Sequence, residues 1–230
     1  GQRTSDNNDA HVGQMVADAV KLLPNVDWSQ YDNNGDRKAD VVIVLYAGPG
    51  EAQGATSNAI WPCQWYLSSA GYYGDGPGAV TMGSTTVDKF AVFCETAGSS
   101  DRTTTPDGIG TFCHEFSHCL DLPDFYDTEG NNFGMDSWSI MDYGVYENEG
   151  FYPVGYTAME RFSLGWLDLE AITRDSICSL ADINTGNGHA MRLDTDNDHC
   201  FFILENHNRS GWDKYERASG LMVSCFSYDS

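Results

Sequence analysis

The pentapeptide His114-Glu115-Phe116-Ser117-His118 constrains this chain more than any other feature. On an α-helix, positions i and i+4 share a face one turn apart, so the two imidazoles can reach one metal ion. Glu115 can then reach a water at that metal. The alternative is a pair of surface histidines on a polar helix face. Against it, Ile109, Phe112, Phe116, Cys119 and Leu120 ring the helix with apolar side chains and predict that it is largely buried. Two imidazoles buried side by side are costly unless they bind something. The spacing therefore predicts zinc on His114 and His118. The helix is expected to start with Thr105 as cap and Pro106 in the first turn, and to run to about Leu120.

A catalytic zinc site needs a third protein ligand beside water. Asp124 falls six residues after His118 and can approach the metal if the chain turns back near Asp121. Asp127, three residues later, is the alternative, and Glu160 on the following predicted helix is a third candidate. An aspartate left over would orient a histidine or bind calcium. A second oxygen-rich segment precedes an apolar run. Asp32, Asn34, Asp36 and Asp40, with the carbonyl of Lys38, alternate so that they could wrap a structural calcium ion. The alternative there is a polar turn.

Charge narrows the partners. With 12 Lys and Arg against 34 Asp and Glu, the net charge is −22, which argues against nucleic acid as a partner. Aromatic residues at 13% argue against disorder. No stretch reaches the roughly 18–20 apolar residues of a membrane span. Residues 1–10 are polar and show no signal-peptide pattern, and the chain does not begin with Met, so a processed chain is expected. Seven cysteines without a CxxC pair read mostly as small buried side chains, with one or two disulfides as the alternative.

Along the chain, residues 11–23 place Val12, Met15, Val16, Ala19, Val20 and Leu23 on one helical stripe, ended by Pro24. Val41–Tyr46 reads as a buried strand. Residues 47–86 read as an ordered loop region pinned by aromatic rings, and 87–94 as another strand. Residues 156–164 read as a helix stopped by Gly165. Met191–Leu193, Cys200–Leu204 and Leu221–Phe226 read as strands. One catalytic domain over 1–230 is expected, with an upper part over about 1–120 and a lower part over about 121–230.

Trp138-Ser139-Ile140-Met141-Asp142-Tyr143-Gly144 reads by itself as an apolar stretch ending in a turn. Beside the zinc helix it resembles the methionine turn of metzincin proteases, with Met141 beneath the metal. Tyr143 would then contact the metal or the reaction intermediate. YDNNGDRKADVVIVLYAG, IWP, GTFCHEFSHCLDLPDFYD, SWSIMDYG, FSLGWL and FFILENHNRSGWD carry a broader likeness. Together they resemble the catalytic domain of the immune inhibitor A-like secreted bacterial metallopeptidases, in the same order and from about residue 26 to 213. The resemblance implies an α+β, zincin/metzincin-like domain: a mixed twisted sheet, an active-site helix and a strand-rich C-terminal part. It implies a zinc endopeptidase acting on proteins or peptides, secreted or at the cell surface, whose signal and prosegment are not in this chain.

In that reading Glu115 is the general base, the substrate adds a strand to a sheet edge, with 87–94 the candidate edge, and the chain is a monomer. Two residues depart from the family pattern. Asp121 stands where the family has Gly at a sharp turn, and Ser117 replaces another Gly inside the helix. Two further readings stay open: a catalytically impaired module that binds a protein or surface partner, and a zinc hydrolase acting on a small molecule.

Overall fold

The computed structural model describes residues 9–98, 105–175, 177–197 and 199–227. Most of the polar N-terminal segment therefore lies outside the described residues. The architecture is mixed α+β, and the chain divides into two compact units, Gly1–Asp121 and Leu122–Ser230.

In the first unit, α1 (Val12–Lys21) buries Val12, Val16, Ala17 and Val20, while Leu23 lies exposed beyond its end. Its cap comes from a distance. The Asp75 carboxylate accepts from Gly13 N at 2.6 Å and Gln14 N at 3.0 Å, satisfying amides that helix geometry leaves open. The central sheet has three strands: β1 (Val42–Pro49), β2 (Cys63–Tyr66) and β5 (Lys89–Thr96), in the order β1-β5-β2. β1 runs parallel to β5 and β2 antiparallel to it.

β5 is buried through Phe90–Cys94 because both of its faces are covered. Phe90 and Val92 join α1 and Leu67 in one core, and Ala91 and Phe93 join Cys119 and Phe116 in another. This central place corrects the expectation that residues 87–94 form a free edge, since β5 has a neighbour on each side. β1 is corrected as well. Its burial alternates and leaves Ile43 and Leu45 exposed, so it is a half-buried strand.

The stretch 47–86 holds more regular structure than its glycine and serine content predicts. Besides β2 it contains α2 (Leu67–Tyr72) and the hairpin of β3 (Val80–Met82) with β4 (Thr85–Val87). Gly83 opens that two-residue turn at φ 64°, a conformation for which glycine is suited.

The last element of the unit, α3 (Gly110–Cys119), starts later than expected. Thr105 and Pro106 lie alongside the end of β5 instead: Ala97 N donates to Thr105 O at 3.0 Å, and Asp107 N to Glu95 O at 3.0 Å. The residue before a proline favours extended backbone, and here that preference prevails over a helix cap.

In the second unit, α4 (Ala158–Ser163) begins with a capping box between Thr157 and Glu160 and is followed by Gly165 at φ 70°. β6 (Leu169–Ala171), β7 (Ala190–Asp194), β8 (Cys200–His207) and β9 (Gly220–Ser227) form a sheet in chain order. Its core gathers Ala158, Ile183, Ala190, Phe201 and Ile203. The three expected C-terminal strands are present and longer than expected, and β6 is an addition. Thr157→Ala removes the box at a fully buried position and is expected to destabilise the chain by about 1–2 kcal/mol in urea unfolding.

Candidate metal centre

α3 carries the two histidines on consecutive turns, as its period requires. Their Nε2 atoms lie 3.2 Å apart and the rings stand at 86°. Two ligands on a tetrahedral zinc ion with bonds of about 2.0–2.1 Å are themselves about 3.4 Å apart, so this pair suits one ion. The helix is less buried than its sequence suggests. Ile109 and Phe112 are exposed and both histidines are half-buried, whereas Glu115, Ser117 and Cys119 are buried. α3 rests on β5 through Phe116 and Cys119, and Phe112 stacks on Phe93 and Phe116.

Glu115 is held from the sheet. Gln64 N, on the outer strand β2, donates to its Oε2 at 2.8 Å. A backbone amide fixes the carboxylate without a side chain of its own, so nothing about residue 64 in the sequence announces the role. Ser117 Oγ donates to Cys113 O at 2.6 Å, which shows how a helix accepts this departure from the family pattern.

At the end of α3, Lys89 Nζ donates to Cys119 O at 3.1 Å, and a cation there complements the helix dipole. Asp121 then takes φ 69°, the left-handed turn expected of the glycine it replaces. His114 and His118 belong to the first unit, and Asp124, the expected third ligand, to the second. Two nitrogens and a carboxylate oxygen are a fitting donor set for zinc.

The other candidates are engaged elsewhere. Asp127 Oδ1 accepts from Glu129 N, and its Oδ2 from Asn131 N and from both nitrogens of Asn132. These backbone amides hold its carboxyl below the usual range and close the 127–132 loop. Glu160 is fully buried. Its Oε1 accepts from Ser139 Oγ at 2.6 Å and Met141 N at 3.2 Å, and its Oε2 from Thr157 N and Oγ1. Glu160 therefore clamps the Met141 segment.

Met141 itself is fully buried, and its carbonyl accepts from Phe125 N at 2.9 Å, tying it to the residue after Asp124. Gly134 belongs to the same knot: a Cβ there would come within 2.3 Å of Phe125 O. Tyr143 is exposed, with its amide donating to Asp142 Oδ1 at 2.8 Å.

The side-chain oxygens of the loop before β1 are engaged in its own turns. Asp32 accepts from the amides of Gly35, Asp36 and Arg37, Asn34 from Asp36 N, Asp36 from Lys38 N, and Asp40 from Asn33. Among the described residues, ligand groups of His, Cys, Asp and Glu gather in two places, and this loop is neither. The calcium expectation finds no support in it. Its carboxylates build successive turns.

The turn after α3 can be tested directly. Asp121→Gly should leave stability unchanged or raise it slightly in urea unfolding. Asp121→Val, β-branched at positive φ, should cost about 1–2 kcal/mol.

Comparison with known proteins places the chain in a family. Residues 5–162 match the family described as immune inhibitor A peptidase M6, catalytic domain. Immune inhibitor A of Bacillus thuringiensis subsp. alesti is 26% identical over 171 residues, covering 64% of this chain and 24% of that protein. The pre-pro-metalloprotease PrtV of Vibrio cholerae serotype O1 is 28% identical over 185 residues, covering 69% of this chain and 19% of that protein. The chain thus spans a quarter or less of the length of these relatives. No solved structure matches it. With the match running over most of the chain and through α3, this protein belongs to the immune inhibitor A family of M6 peptidases, in its catalytic domain.

Proposed function

We propose that the chain is the catalytic domain of a secreted zinc endopeptidase that hydrolyses peptide bonds of proteins. The observation that carries this is the paired Nε2 atoms of His114 and His118, 3.2 Å apart on the helix that also bears Glu115. His114, His118 and Asp124 would hold the ion. When bound, zinc supplies a Lewis acid that lowers the pKa of water and polarises a carbonyl.

The chain's own groups do the rest. Glu115 takes a proton from the attacking water at its carboxylate and delivers it to the departing amine. Gln64 N fixes one oxygen of that carboxylate, so the base stays aimed while its charge changes. Tyr143, exposed beside the Met141 turn, is available to donate a hydrogen bond to the oxyanion. Met141, bonded through its carbonyl to Phe125 N, holds the Asp124 segment in place.

An extended substrate would pair with an outer strand. β2 is an outer strand and already presents Gln64 N to Glu115, so it replaces 87–94 as the candidate edge. Among the described residues no helix is long and apolar enough to cross a membrane. Export rests on the relatives, one of which is named a pre-pro-metalloprotease.

The test is cleavage of denatured casein by the purified chain, by the chain after chelation with zinc restored, and by Glu115→Gln. Activity should vanish on chelation and return with zinc. Glu115→Gln should keep its zinc and lose about 10²–10⁴ in kcat. A folded, zinc-loaded chain that leaves casein intact would point instead to a binding module.

A further inference from the structure

The inward face of β8 carries Phe201, Ile203, Glu205 and His207 in alternation, all buried. The first two sit in the apolar core. The last two put a carboxylate and an imidazole on that same inward face. Asp213, from the turn Gly211–Asp213, and Glu216 complete a group of four ionisable side chains, each 1% exposed.

His207 Nδ1 lies 3.0 Å from Glu216 Oε1, and Nε2 lies 3.2 Å from Glu205 Oε2. Two backbone amides anchor the group: Gly155 N donates to Asp213 Oδ1 at 2.7 Å and Ala158 N to Glu205 Oε2 at 2.8 Å. Asp213 Oδ2 and Glu216 Oε2 are buried and receive no hydrogen bond. One ligand atom each from His207, Asp213 and Glu216 lie within 4.8 Å of one another.

Charge decides what this group lacks. Three carboxylates face one imidazole. Even an imidazolium has only two N–H donors, and here its nitrogens neighbour Glu205 and Glu216. Two carboxylate oxygens are left in the interior without a donor, which is costly.

We propose that His207, Asp213 and Glu216 are protein ligands of a second, structural divalent-metal site of the zinc class. One imidazole nitrogen with two carboxylate oxygens suits zinc, whereas calcium and magnesium take oxygen ligands. Glu205 completes the arrangement from behind. Its carboxylate, 3.2 Å from Nε2, favours a proton on that nitrogen and so leaves the Nδ1 lone pair for the ion, as carboxylates behind metal-bound histidines do. Burial on every side leaves no room for a substrate, so the site is structural. It shares no residue with the His114 and His118 pair.

The experiment uses the whole chain carrying His114→Ala and His118→Ala, which removes the first site. Metal content is measured by mass spectrometry after zinc loading and dialysis. Thermal unfolding is followed with and without zinc. The expected result is one zinc per chain and a zinc-dependent rise in Tm. Asp213→Asn in the same background should abolish both while circular dichroism still reports a folded chain. A folded double variant that holds no zinc and has the same Tm with and without zinc overturns the proposal. Zinc retained after Asp213→Asn overturns the ligand assignment.

Discussion

The α-helical period on α3 is the constraint on which the rest of the site depends. It brings two imidazole nitrogens to 3.2 Å, a separation that suits two ligands of one cation. Everything nearby serves to keep that helix and its termination fixed. β5, buried on both faces, gives α3 a rigid floor through Ala91 and Phe93. Lys89, on the same strand, reaches the carbonyl of Cys119, the last residue of the helix. Asp121 accepts a left-handed backbone so that the chain can reverse at once. That left-handed residue costs local strain.

The second unit applies the same logic with a buried carboxylate. Glu160 would be destabilising if it were unpaired. It instead accepts from Ser139, Met141 and Thr157, and so fixes the start of α4 and the Met141 turn with one side chain. From Met141 a single backbone bond leads to Phe125, next to Asp124. Mechanical support for a proposed metal ligand therefore runs through hydrogen bonds, each short in sequence or anchored in a buried group. In both units a carboxylate satisfies backbone amides at a distance: Asp75 at the start of α1, Glu160 at the Met141 turn, Asp213 at Gly155. An acidic chain has such groups to spare, and this one uses them as fasteners.

Periodicity made part of this legible in the sequence. The stripe of Val12, Val16 and Val20, the apolar run of β5 and the His114–His118 spacing each reflect a single dominant force, and each gives the element it predicts. Failures occur where two forces compete. Pro106 fits a first helical turn, yet its predecessor prefers extended backbone and pairs beside β5. The run Val41–Tyr46 is apolar on both faces, yet only one is covered. β3 and β4 are three residues each, too short for a pattern, and their pairing rests on a glycine turn. Gln64 was illegible because its contribution is a backbone amide. The inward Glu205 and His207 could be seen only as an interruption of an apolar alternation in β8, a signal that acquires meaning once Asp213 and Glu216 are placed beside them.

The most direct measurement of the central claim is a crystal structure of the zinc-loaded chain with diffraction recorded on both sides of the zinc absorption edge. The expected result is an anomalous peak about 2.0–2.1 Å from Nε2 of both His114 and His118, with an oxygen of Asp124 as the third protein ligand. A peak bound by only one of the histidines, or by both with a different third residue, would contradict it.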